Sequence, residues 1–151
     1  MSLKSRLNED LKAAMKSRDT AALSALRLLK SAITTREIEV GRDLADDEIV
    51  RLVEKALKQR RESIGVYRQA GREDLASKEE AEALVLARYQ PEQLTPEALE
   101  KLVDEAIAET GAADAKQMGL VMKAVLAKAG ARADGKTVSA AVKRRLCQSQ
   151  N

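Results

Sequence analysis

The octapeptide GARADGKT, Gly130 to Thr137, satisfies the phosphate-loop pattern G-x-x-x-x-G-K-[ST]. In that chemistry Lys136 would reach the terminal phosphates of a nucleotide and Thr137 would hold a magnesium ion. A working loop needs a buried strand leading into it and backbone N–H groups at a helix N-terminus facing the phosphates. The preceding segment, MGLVMKAVLAKA, spaces its apolar residues at helical steps, so no strand feeds the loop. Only 14 residues follow Thr137, too few for another crossover unit, and no later strand ends in an Asp for the metal. Asp134 would also set a carboxylate beside the anion. The spacing predicts instead a helix stop at Gly130, a helix cap at Asp134, and exposed side chains at Arg132 and Lys136. The motif match fails as a nucleotide site.

The remaining inventory excludes more chemistry. The chain has no His and one Cys, too few of the usual ligands for a structural zinc site. Histidine bases and triads are ruled out, and Cys147 has no base or orienting partner. Met118 and Met122 read as core filler rather than a ligand stripe. The expectation is no catalytic residue, no cofactor and no metal.

These residues must sit on helices. The 151 residues include no Phe or Trp and only two Tyr, so the core is aliphatic, and the abundance of Ala, Leu, Glu, Lys and Arg is helix-rich. Apolar spacing is helical almost throughout. Leu3, Leu7, Leu11 and Met15 give a first helix ending near Arg18. Asp19 caps a second, carrying Leu23, Leu26 and Ile33, and Gly41 stops it. Asp46, Asp47 and Glu48 open a third helix along Ile49, Leu52, Val53, Ala56, Leu57, Ile64 and Tyr67 to Gly71. Arg60 falls in its seam and reads as a snorkelling side chain. A fourth helix carries Leu75, Leu84, Val85 and Tyr89 before Pro91. In QPEQLTPE, Thr95 caps and Pro96 takes the first helical position. Three shorter helices follow: Leu99 to Ile107 stopping at Gly111, one from near Asp114 with Met118, Val121, Met122, Val125 and Leu126, and one from Asp134 with Val138, Ala141, Val142 and Leu146. The expected fold is all-α, with a long-helix hairpin or bundle over 1–92, a three-helix domain over 93–148 and a tail at 149–151.

Charge is unevenly placed. Residues 91–115 hold seven acids and one base, whereas residues 116–151 hold eight bases and one acid. Such a basic segment suggests an anionic partner, most often nucleic acid. The candidate RNA-binding residues are Lys116, Lys123, Lys128, Arg132, Lys136, Lys143, Arg144 and Arg145. Lys136, Lys143 and Arg144 share a face, since seven residues make about two turns. With no Phe or Trp to stack on bases, readout would be of phosphates and shape. No stretch reaches the roughly 18 apolar residues of a membrane span and no early stretch resembles a signal peptide, so a soluble cytoplasmic protein without membrane contact is expected.

Several segments together resemble the GatB/YqeY family, specifically its small free-standing YqeY-like members. They are SLKSRLNEDLKAAMKSRD, LRLLKSAI, KQRRESIGVYRQAGREDLASKEEAE, YQPEQLTPEAL and KQMGLVMKAVLAKAGARADGKTVSAAVK, which span nearly the whole chain. Gln90 stands where the family usually has Leu. Ala45 replaces a usual Thr or Ser cap, leaving Asp46 or Asp47 to cap the third helix. The resemblance implies that Gln93 to Leu146 is similar to the tail domain of the B subunit of the tRNA-dependent amidotransferase, a helical tRNA-contacting module. In that tail a Gly-x-x-Met-Lys segment precedes a Gly-Lys-Ala-type turn. Gly119, Met122 and Lys123, then Gly130, Arg132 and Ala133, take the corresponding places here. The implied function is a non-catalytic adaptor for tRNA or other structured RNA. One alternative is a component or accessory of carbon–nitrogen ligase activity with glutamine as amido-N-donor, partnering an amidotransferase or translation-related protein. Another is a protein-interaction module, using the acidic helix Pro96–Thr110 or the polar face of the third helix.

Overall fold

The computed structural model describes residues 1–148; the tail 149–151 lies outside the described residues. Among these the elements are helical throughout: α1 (Leu3–Ser17), α2 (Thr20–Val40), α3 (Asp46–Gln69), α4 (Glu73–Ala87), α5 (Pro96–Thr110), α6 (Met118–Ala129) and α7 (Gly135–Gln148). Two short 3-10 turns, Ala115–Gln117 and Gly130–Arg132, flank α6. The chain divides into two compact units, Met1–Gln90 and Pro91–Asn151.

In the first unit, α1 ends at Arg18, which adopts the left-handed conformation (φ 57°) and donates its N–H to the Ala14 carbonyl. Asp19 then caps α2, its carboxylate accepting the Ala22 N–H at 3.1 Å. A two-residue link therefore turns α1 back against α2. Gly41 stops α2 at φ 72°. The start of α3 differs from expectation: neither Asp46 nor Asp47 caps it. Glu48, at the third helical position, reaches back to accept the Ala45 N–H at 2.8 Å, because its side chain is long enough to fold over the first turn. Asp46 instead accepts the Leu3 N–H at 3.1 Å, tying the starts of α1 and α3 together.

The core of this unit joins Leu7 and Leu11 of α1, Leu26, Leu29 and Ile33 of α2, Ile49, Val53 and Leu57 of α3, and Val85, Leu86 and Tyr89 at the end of α4. Ala25 and Ala76 are fully buried, which lets helix backbones come close. Of the residues expected in the core, Ile64, Tyr67 and Leu75 are only half-buried and are not part of it, and Met15 and Leu84 are exposed. A strict four-residue repeat drifts by about 40° per step on a 3.6-residue helix, so by Met15 the stripe has rotated off the core. Met15 is 52% exposed while its neighbour Ala14 is buried. On α4 the buried stripe runs through positions 82, 85, 86 and 89, so Leu84 is 70% exposed and the acidic Glu82 occupies an apolar slot.

In the second unit, Thr95 accepts the Ala98 N–H at 3.1 Å with Pro96 at the first helical position, and Gly111 ends α5 at φ 67°. Asp114 caps the 3-10 turn through the Lys116 N–H, so α6 begins at Met118 rather than near Asp114. Gly130 closes α6. Val103, Ala106, Val121, Val125, Val138, Val142 and Leu146 fill the shared core of the three helices. Leu126, expected inside, is 38% exposed, and Ala129 is buried in its stead. The entry to α5 is pinned to the α6–α7 connection: the Leu94 N–H donates to the Arg132 carbonyl at 2.8 Å and Gln93 Nε2 to the Ala131 carbonyl at 3.0 Å.

Candidate functional site

The octapeptide forms the connection between α6 and α7, as a helix cap. Asp134 Oδ1 accepts the Thr137 N–H at 2.8 Å and Oδ2 accepts the Thr137 hydroxyl at 3.0 Å. The backbone donor and hydroxyl that a phosphate and its magnesium would need are thus already held by a carboxylate. Lys136 projects from the exposed first turn of α7.

The eight predicted RNA-binding residues separate into two groups. Four are engaged within the unit. Lys128 Nζ donates to Glu109 at 2.6 Å and lies 3.5 Å from Glu105, both on α5. The hydrogen bond to Glu109 raises the Lys128 pKa. Arg145 makes a two-pronged contact with Asp104 of α5 at 2.6 and 2.8 Å, which lowers the Asp104 pKa and raises that of the arginine. Arg144 lies 3.5 Å from Glu100. Arg132 donates to the Lys128 and Ala129 carbonyls at 2.9 and 3.2 Å, closing the C-terminal end of α6. The acidic α5 therefore lies against the basic segment, and the unit as a whole carries nine bases against eight acids.

The other four are Lys116, Lys123, Lys136 and Lys143. All are exposed, and among the described residues none has a carboxylate within ion-pair distance. Lys136 and Lys143 are two turns apart on α7, and Lys116 and Lys123 have the same spacing across the start of α6. Gly119 lies one turn before Lys123, and a Cβ built on it would meet no atom within 4 Å. The α6 surface there is bare.

The first unit holds two polar clusters that sequence reading missed. Arg60, expected to snorkel, is instead largely buried between α3 and α4, 3.8 Å from Glu82 and 3.9 Å from Glu79, and its Nε finds no hydrogen-bond acceptor. Tyr89 donates its hydroxyl to Asp10 while the Arg6 guanidinium lies over its ring, 4.9 Å from the centroid. Burial first, and then the bond to Asp10, push the Tyr89 phenol well above its ordinary pKa. Only the coincidence of Arg60 and Glu82 in apolar stripe positions signalled the first cluster, and nothing local signalled the second. A hollow of about 530 Å³ is lined by Gln59, Glu62, Ser63, Val66 and Tyr67, all of α3. Among the described residues no three of His, Cys, Asp or Glu are placed to hold a metal ion, and no helix is long and apolar enough to cross a membrane. Cys147 is an exposed free thiol.

Comparison with known proteins gives this architecture a lineage. The protein called "Altered inheritance of mitochondria protein 41, mitochondrial" in Pyrenophora tritici-repentis is 33% identical over 131 residues, covering 82% of this chain and 71% of that protein. The protein of the same name in Vanderwaltozyma polyspora is 36% identical over 85 residues, covering 55% of this chain and 45% of its own. In Saccharomyces cerevisiae strain YJM789 the identity is 34% over 86 residues, covering 56% of this chain and 46% of the relative. The chain thus spans about half the length of the two yeast relatives. The family described as Yqey-like protein matches residues 4–146. That stretch runs from the start of α1 to the last turn of α7, and the chain belongs to the Yqey-like protein family.

Proposed function

We propose that the protein is a non-catalytic helical module that binds structured RNA, tRNA foremost, through the phosphates. The observation that supports this reading is the division of the basic segment. Lys128, Arg132, Arg144 and Arg145 hold the second unit together, while Lys116, Lys123, Lys136 and Lys143 stand exposed and, among the described residues, without an ion-pair partner. Phosphate contacts fix position on an RNA without reading its sequence, and ammonium groups free of carboxylates are the ones that release counterions on binding. Gly119 leaves room for a backbone to approach α6 beside Lys123. The resemblance of Gly119, Met122 and Lys123 to the tail of the tRNA-dependent amidotransferase points to the same ligand. An accessory part, presenting tRNA to a glutamine-dependent amidotransferase, would use this surface too. The reading requires a compartment that holds tRNA. The cytoplasm meets that requirement, and so do mitochondria, the compartment in the relatives' names.

The experiment is tRNA affinity as a function of salt for the full chain and two variants. Replacing Lys116, Lys123, Lys136 and Lys143 by Gln is expected to flatten the log–log slope by about 3, at 0.7 to 0.9 per lost phosphate contact. Replacing Lys128, Arg144 and Arg145 by Gln is expected to leave the slope within about 1 of wild type, because these charges already face carboxylates. Equal effects of the two sets, or a flat wild-type plot, would overturn the proposal.

A further inference from the structure

The first unit carries a second, differently built basic surface. Its overall balance is modest, 18 bases against 16 acids, but the α1–α2 hairpin sorts them by end. Within residues 12–30, on either side of the Arg18–Asp19 turn, stand Lys12, Lys16, Arg18, Arg27 and Lys30, with Asp19 the single acid. The Asp19 carboxylate is engaged by the Ala22 N–H. All five bases are exposed, and among the described residues none has an ion-pair partner. They lie within about 17 Å of the turn along the helix axes. At the far end of α2 the pattern inverts. Residues 36–48 hold six acids and two bases, and there the charges are tied together, Lys4 to Glu37, Arg36 to Glu39 and Arg42 to Glu48. A merely solvated hairpin has no need of such sorting, since interspersed charges serve solubility as well.

Arg18 adds an independent sign. It is the one residue other than glycine with positive φ among the described residues. The other helices that end in the left-handed helical conformation do so on Gly41 and Gly111, where the absence of a Cβ removes the strain. An arginine held there places a guanidinium at the tip of the hairpin at a conformational cost. Backbone outliers of this kind gather at binding sites.

We infer that the turn end of the α1–α2 hairpin is a second phosphate-backbone contact, which takes RNA independently of the lysines of α6 and α7. Charge complementarity selects a polyanion. One ridge of α2 favours nucleic acid over a lipid surface: Thr20, Ser31 and Thr34 are exposed and Ser24 half-buried along it beside Arg27, hydroxyls are common donors to phosphate oxygens, and the large apolar side chains exposed within residues 12–30 are two, Met15 and Leu28. The chain also lacks the Phe and Trp that seat basic helices in a bilayer interface. The inference borrows its ligand class from the RNA-binding proposal, but its residues are separate and it stands or falls on them.

The test measures bulk tRNA binding against salt with the full chain carrying Lys12, Lys16, Arg27 and Lys30 changed to Gln, beside the α6–α7 lysine variant. The hairpin variant is expected to lose affinity at least tenfold and to flatten the slope by about 3. Arg18→Gly is expected to weaken binding several-fold while holding or raising Tm, a combination that a structural role for the side chain would not produce. A hairpin variant that binds tRNA as wild type does overturns the inference, whatever the α6–α7 variant does. If the hairpin variant binds more weakly while the α6–α7 variant is unaffected, the inference stands and the other site fails. Vesicles of phosphatidylcholine with one-fifth phosphatidylserine serve as the competing arm. Retention of the wild type on them, lost in the hairpin variant while tRNA binding is kept, would assign the surface to membranes and overturn the inference.

Discussion

Arg60 shows what a buried charge does when its partners are slightly too far away. At 3.8 and 3.9 Å from Glu82 and Glu79, with Nε lacking an acceptor, the guanidinium gains Coulomb attraction without hydrogen-bond geometry. Such a pair stabilises little relative to apolar packing, yet removing one member strands the other in a low-dielectric seam. Arg60→Met alone is therefore expected to cost about 3 kcal/mol by isolating the buried Glu82, whereas Arg60→Met with Glu82→Leu returns to within about 1 kcal/mol of wild type. Urea unfolding followed by helical circular dichroism distinguishes these outcomes. A double variant as unstable as the single one would mean that the pair contributes specific structure rather than a tolerated burial.

At the scale of elements, the α2–α3 connection depends on two carboxylates. Glu37 accepts from Lys4 at 2.8 Å and from the Leu44 N–H at 2.9 Å. Glu48 accepts the Arg42 fork at 2.8 and 2.9 Å and the Ala45 N–H at 2.8 Å. The side-chain hydrogen bond from Lys4 and then the Leu44 N–H lower the Glu37 pKa; Arg42 and then the Ala45 N–H hold Glu48 at about 2, against an ordinary 4.5. A folded pKa below the unfolded one stabilises fully above the unfolded value and ceases to do so as pH falls through the folded value. Thermal stability should thus decline as pH falls from about 4.5 to 2, and the Glu37→Gln, Glu48→Gln double variant should show a flatter decline over that window. An unchanged decline would place the acid sensitivity elsewhere. These contacts also mark what was legible. Asp19, Gly41, Thr95, Gly111, Gly130 and Asp134 were readable because a cap is decided within four residues of chain. The pairings of Arg145 with Asp104, Lys128 with Glu109, and Arg60 with Glu82 depend on how one helix registers against another, and spacing along one helix carries no such information. The sequence accordingly shows the charge of the basic segment and the shared face of Lys136, Lys143 and Arg144, but not that Lys128, Arg132, Arg144 and Arg145 close the second unit. Met15 and Leu84 were misplaced for a related reason: a rough period locates a stripe but not the rotation at which the neighbouring helix meets it.

For the molecule as a whole, the aromatic poverty constrains any RNA reading. With two tyrosines, one of them buried, there is almost no platform on which unpaired bases could stack. Folded tRNA should therefore outcompete an unstructured polyuridine of equal length at equal salt, as measured by competition binding. Preference for the single strand would argue for base stacking and against phosphate and shape recognition. The same poverty has an experimental side. Both rings belong to the first unit, so the aliphatic core around Val121, Val125, Val138 and Val142 contains no chromophore of its own and no ring current to spread its methyl resonances. Near-ultraviolet dichroism, a usual criterion separating native packing from a molten globule, is blind to that core. A correctly folded second unit would give crowded methyl spectra that resemble a loosened state, and its integrity is better judged by amide exchange along α5, α6 and α7.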